Sequence, residues 1–175
     1  MNQRLMRAFH ALLLLVLLGA VAGQEQPATI ADALQDTPET SVLAALFEES
    51  GLLEEFAGPV RLTFFAPTDT ALDRLDPAVL EMMRRDRGVL DLVIRHHTAM
   101  GASPLQALRG LDALTTLEGT HLLVSHDGFG VRIGGVRLAN DGIATGNGML
   151  YLVDRVVVPA SGWLIKDLLA GPDAP

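Results

Sequence analysis

An α+β fold is predicted by a change of hydrophobic period along this chain. Up to about residue 108 apolar residues recur at helical spacing, and beyond it they alternate in short runs cut by glycine turns. One strongly apolar strand, Val60–Phe65, stands early among the helices. The first 23 residues carry a separate pattern, and they lie outside the predicted fold.

That leader begins with Arg4 and Arg7, continues as the apolar run Ala11–Leu18, and ends in the small residues Ala20-Val21-Ala22. A positive start, an apolar run and a small-x-small site predict a signal peptide over residues 1–23, cleaved after Ala22 or Gly23. The alternative is retention as an uncleaved anchor, against which the run is short of the roughly 20 residues of a spanning helix. Cysteine is absent, so no disulfide and no lipid on a leader cysteine are expected. The polar end, Gly171-Pro-Asp-Ala-Pro175, does not have the apolar tail of a glycolipid-anchor signal, and no stable membrane insertion is expected after cleavage.

Cleavage would remove two of the 13 basic residues, leaving 11 against 21 acidic ones and a net charge of −10. Nucleic acid and anionic membranes both call for a basic face, so neither is an expected partner. One domain over residues 29–170 is of ordinary size and needs no metal or disulfide to complete its core. Internal repeats are not visible.

Thr29-Ile30-Ala31-Asp32 predicts a capping box at the start of a brief helix that breaks near Pro38. A second helix is expected over Glu39–Ser50, with Val42, Leu43, Leu46 and Phe47 on one face and Gly51 as its C-cap. Leu52, Leu53 and Phe56 predict a further helical turn, and Gly58-Pro59 leads into the early strand. Pro67 is expected to stop that strand, since it has no N–H for a ladder, and Thr68 or Asp69 to cap a short helix. Asp76 caps and Pro77 begins the next helix, with Val79, Leu80 and Met83 apolar and Arg84-Arg85-Asp86-Arg87 polar. Gly88 is expected to divide it from a helix carrying Leu90, Val93, Ile94 and His97. Ser103-Pro104 opens a turn of helix through Leu108. Strands are then expected at Leu114–Leu117, His121–Ser125, Phe129–Ile133, Val136–Ala139 and Met149–Val158, joined by glycine turns.

Two segments are distinctive. Thr63–Leu72 reads Thr-Phe-Phe-Ala-Pro-Thr-Asp-Thr-Ala-Leu, and Asn147–Pro159 is an Asn-Gly turn, a long apolar strand and a proline. Between them, His96-His97 precedes Gly101. In order and spacing these resemble the signature segments of the fasciclin domain, an extracellular adhesion and interaction module. The resemblance implies N-terminal helices packed on a wedge-shaped, mainly antiparallel β-sandwich. It also implies structural roles for Thr63, Phe65, Ala66, Pro67, Thr68, Asp69, His96, His97, Gly101, Asn147, Gly148, Tyr151, Asp154 and Pro159. His96 stands where the family has tyrosine, and Tyr151 where it has histidine.

Candidate chemistry weighs little beside structure. Adjacent residues on a helix point about 100° apart, so His96 and His97 do not share a metal. His97 is expected to be a buried hydrogen-bonding residue, as the resemblance implies, and His96 the exposed partner. His121 and His126 have odd spacing and should face opposite sides of a sheet. Asp69 has no base or second carboxylate beside it and is expected to cap. Asp154 is expected to pair across the last strand or fix a bulge. Gly128–Gly135 has no strand–loop–helix setting for a phosphate cradle. Ser161 and Lys166 lack the Ser-x-x-Lys spacing, and Trp163 is expected to pack an apolar closing segment onto the domain. Some animal fasciclin domains engage integrins through an Asp-Ile dipeptide, and here Gly142-Ile143 stands in that place, so integrin binding is not carried over.

These readings lead to an exported, non-enzymatic module without catalytic residues, metal or cofactor. Its expected partner is a cell-surface or matrix protein or polysaccharide, in adhesion, matrix attachment or biofilm cohesion. A small-ligand or lipid carrier with an apolar crevice is the alternative.

Overall fold

The computed structural model describes residues 28–157. Helix α1 (Ile30–Asp36) starts at the expected capping box, in which Thr29 Oγ1 accepts from Asp32 N and the Asp32 carboxylate accepts from Thr29 N at 2.7 Å. A 3-10 turn at Pro38–Thr40 leads into α2 (Ser41–Ser50), closed by Gly51 at φ +74, a left-handed C-cap that glycine adopts without strain. Then come α3 (Leu53–Ala57), β1 (Leu62–Pro67), α4 (Asp69–Leu72), α5 (Pro77–Arg85), α6 (Arg87–His96), β2 (Thr98–Met100) and α7 (Leu105–Leu108). The remainder is strands: β3 (Ala113–Thr115), β4 (His121–Asp127), β5 (Gly130–Ile133), β6 (Val136–Arg137), β7 (Ile143–Thr145) and β8 (Gly148–Val153).

One sheet has the order β2-β1-β8-β7, and its central pair, β1 with β8, is parallel. The other is the antiparallel meander β3-β4-β5-β6. Every residue of β1 and β8 is buried, because layers cover both faces of the central pair. Phe64, Ala66, Leu150 and Leu152 face the helices, where Phe64 meets Phe47 and Phe56 with ring centroids 5.5 and 5.0 Å apart. Phe65, Met149, Tyr151 and Val153 face the meander, against Leu122, Val131 and Ile133. Removing either phenylalanine side chain would cost about 3–5 kcal/mol.

Several boundaries differ from those expected. Val60 is half exposed and precedes the ladder, which begins where Leu62 meets Gly148. The break between α5 and α6 falls at Asp86, two residues before Gly88, because the Asp86 carboxylate accepts from Gly88 N at 2.8 Å and so starts a new helix. The last strand ends at Val153, where Thr68 N takes the Val153 carbonyl and the parallel partner turns away. Asp154 therefore lies one residue past the strand, exposed, and neither pairs across the ladder nor makes a bulge within it. Strands β2 and β7 form where no strand was expected. Residues 1–23, Val158, Pro159, Ser161, Trp163 and Lys166 lie outside the described residues.

Candidate functional site

The signature residues converge on the parallel pair β1–β8 and fasten it to its surroundings. Asn147, just before β8, is the most connected. Its Oδ1 accepts from Ile30 N at 2.8 Å, and its Nδ2 donates to the carbonyls of Phe56 at 2.7 Å and Gly58 at 2.8 Å. One buried amide thus holds the start of α1, the end of α3 and the strand pair together. Gly148 follows because a Cβ there would collide with the Leu62 carbonyl.

On the other face, Thr63 and Tyr151 grip a common residue. Thr63 Oγ1 accepts from Ser103 N at 2.9 Å and donates to Gly101 O at 2.6 Å, while the Tyr151 hydroxyl donates to Ser103 O at 2.9 Å. Gly101 makes this turn at φ +85. Tyr151 stacks on Phe65 with centroids 5.7 Å apart, and burial, with the Asp141 charge second, pushes its pKa up to about 12. Ser103 had only been read as a helix start, and nothing local in sequence points to this grip.

The corner after β1 separates two roles that sequence left open. Thr68 caps α4, accepting from Ala71 N at 3.2 Å. Asp69 instead reaches across to the start of α2, accepting from Ser41 Oγ at 2.6 Å and Val42 N at 2.9 Å. Ala66 is buried, and Pro67 closes the ladder opposite Val153.

His97, fully buried, donates from Nδ1 to Val93 O at 2.7 Å and accepts at Nε2 from Val157 N at 2.8 Å. Those two bonds fix the neutral tautomer. Burial is the main cause holding its pKa down to about 4, aided by neighbouring His96 and opposed by the Val93 carbonyl. The expectation of an exposed His96 is corrected: it is 2 % exposed. The β3–β4 turn folds over the end of α6 and brings Glu118 Oε2 to 2.8 Å and Thr120 Oγ1 to 3.0 Å from His96 Nδ1. From the sequence only a glycine turn was expected at this point. The histidine rings lie 6.1 Å apart at 81°. Among the described residues no three His, Asp or Glu side chains are grouped to hold a metal ion. His121 and His126 are both exposed on β4.

Gly142, where the dipeptide aspartate would stand, adopts φ +93, and a Cβ there would lie 2.5 Å from Tyr151 Cε1. No side chain fits. Clefts on the surface include one of about 400 Å³ between α2 and Arg84 and one of about 310 Å³ lined by Arg132, Gly135, Val136, Arg137, Asp154 and Arg155. No helix among the described residues is long and apolar enough to cross a membrane.

Buried signature side chains that bind backbone, with a helical layer and two sheets, define an α+β scaffold of structural signature residues. The fasciclin domain description matches residues 38–159, and the chain belongs to the fasciclin domain family. It is 27% identical over 141 residues to human periostin, covering 80% of this chain and 17% of that one. It is 27% identical over 146 residues to the cell surface glycolipoprotein MPB83 of Mycobacterium bovis, covering 81% of this chain and 64% of that one. The immunogenic protein MPB70 of the same species is 25% identical over 146 residues, covering 80% of this chain and 73% of that one. In fold, the chain is similar to a solved FAS1 domain pair from the insect cell adhesion molecule fasciclin I, with a TM-score of 0.67 and 14% identity. That match covers 77% of this chain and 52% of the pair.

Proposed function

We propose that this chain is an exported, non-enzymatic interaction module that works at the cell surface, in the periplasm or outside the cell, in adhesion or matrix cohesion. The observation that carries this reading is where the signature residues go. Thr63, His97, Asn147 and Tyr151 are buried, and their polar atoms are engaged by backbone groups. Groups so engaged stabilise a scaffold and are not available to a substrate. What a partner meets is the outer face of the meander, the loops and the helical layer, with affinity from surface complementarity. A leader-type N-terminus and a relative named as a cell surface glycolipoprotein support the location. The acidic balance disfavours nucleic acid and anionic membrane surfaces, and leaves a surface or matrix protein or polysaccharide as the partner class of this reading.

The test is fractionation of the native host, N-terminal sequencing of the protein recovered, and capture of partners from its own envelope. A mature start at Gly23 or Gln24 in the extracytoplasmic fraction, with a reproducible envelope partner, is the expected result. Intact Met1 in the cytosol overturns the reading.

A further inference from the structure

Three arginines, two of them cross-strand partners, meet at one cleft. Arg132 lies on β5, Arg137 on β6 and Arg155 just past β8, and they line a space of about 310 Å³ with Asp154, Gly135 and Val136. Arg132 is held as a fixed wall, its Nε donating to Asp127 Oδ2 at 3.1 Å and its Nη1 to Gly135 O at 3.3 Å. Arg137 and Arg155 are both exposed. The Arg137 guanidinium sits 5.9 Å from the centroid of the Phe129 ring, within cation–π range. Phe129, in the β4–β5 turn, is 83% exposed. Phe129 also lines a second cleft of about 200 Å³, with Arg109, Asn140 and Asp141.

The geometry points to a binding site for the uronic acid units of an acidic polysaccharide. Guanidinium forks match carboxylate oxygens in a bidentate way. Phe129 offers an apolar face to a sugar ring. Asp154 beside the arginines, and Asp141 in the second cleft, accept hydrogen bonds from hydroxyls. A ligand carrying both carboxylates and hydroxyls satisfies this mixed set. Anionic bilayers fit less well, because a bilayer surface calls for a broad basic face and the whole chain is acidic, at −8. The same overall charge opposes long-range capture of any polyanion. At physiological ionic strength that repulsion is screened beyond about 8 Å, while contacts inside the cleft persist.

This inference rests on the surface-interaction reading above and names its ligand. Affinity electrophoresis of the exported protein through polygalacturonate, with neutral dextran as the reference gel and flotation on phosphatidylglycerol vesicles in parallel, tests it. Retardation is expected in polygalacturonate and not in dextran. The double variant Arg137→Gln/Arg155→Gln should raise the apparent Kd about tenfold or more. Phe129→Ala, at a site too exposed to affect folding, should weaken retardation, and Arg84→Gln on α5 should leave it unchanged. Equal retardation of wild type and these cleft variants overturns the site, as does flotation with vesicles without retardation by polygalacturonate. A protein captured with its own envelope but not retarded by polygalacturonate overturns this site and leaves the interaction reading standing.

Discussion

The Nε2 of His97 accepts the backbone N–H of Val157 at 2.8 Å, joining the end of α6 to the segment after β8 across 60 residues. The bond exists only while the ring is neutral, since a protonated imidazole has no acceptor. Stability is therefore tied to pH here. The unfolded ring takes its proton near 6.5 and the folded one near 4, so between those values the unfolded chain binds more protons.

The sign follows. The His97 contribution is complete above about pH 6.5 and is lost as pH falls from there toward 4, at up to about 1.4 kcal/mol per pH unit. Urea denaturation from pH 4.5 to 7.5 should show stability rising with pH. His97→Gln should be less stable throughout but with a flatter profile. Parallel profiles for the two proteins would show that His97 is not the group responsible.

His96 leads to a different outcome from that of an exposed histidine, for which truncation would be nearly neutral. It is buried against Glu118, whose side chain is 8% exposed. Removing one member of such a pair leaves the other without its partner, so His96→Ala should cost about 3 kcal/mol. A double-mutant cycle with Glu118→Gln should give a coupling of about 1–3 kcal/mol. Additive single effects would mean that the 2.8 Å contact contributes nothing.

How legible this was depended on the range of the interaction. The Thr29 box, the Gly51 cap and the Asp76-Pro77 start come from neighbours in sequence, and they form as expected. Strand β2 was not visible, because Thr98–Met100 becomes a strand only by pairing with Leu62–Phe64, and β7 because Ile143–Thr145 pairs with β8. The burial of His96 depends on a turn 22 residues away. Arg132, Arg137 and Arg155 look like scattered solvated charges until β6 and the end of β8 bring them to one cleft. Side-chain partners across the chain leave no periodic trace, which is why the signature's location was readable and its bonding was not.

Thr68 and Asp69 are adjacent but cap different helices, and this separates their energetics. Thr68→Ala should cost about 1 kcal/mol, and Asp69→Ala more, toward the upper end of the usual range of about 0.5–2, because it serves two donors. Ser41→Ala should add little once Asp69 is alanine, since both changes remove the 2.6 Å contact. Chemical-denaturation midpoints for the three single variants and the Ser41/Asp69 double variant check this. A full additional loss in the double variant would show that Ser41 and Asp69 act independently.

Asn147 provides the sharpest contrast between size and chemistry. The residue is 5% exposed, and its amide satisfies one N–H at the start of α1 and two carbonyls at the end of α3. Asn147→Ala should therefore cost about 2–4 kcal/mol, from a cavity and from partners left unpaired in the interior. Asn147→Asp has nearly the same volume, so packing alone would make it the milder change. Its second oxygen, however, would face the carbonyls of Phe56 and Gly58 in place of a donor. An ionised carboxylate there is repelled by both, and a protonated one has a single O–H for two acceptors. Thermal and urea unfolding at pH 7 should rank the proteins wild type, then alanine, then aspartate, with the aspartate variant recovering part of its deficit relative to alanine as pH falls and the carboxyl is protonated. An aspartate variant as stable as wild type at pH 7 would mean that Nδ2 does not donate to those carbonyls, and the link between α1, α3 and β8 would have to lie elsewhere.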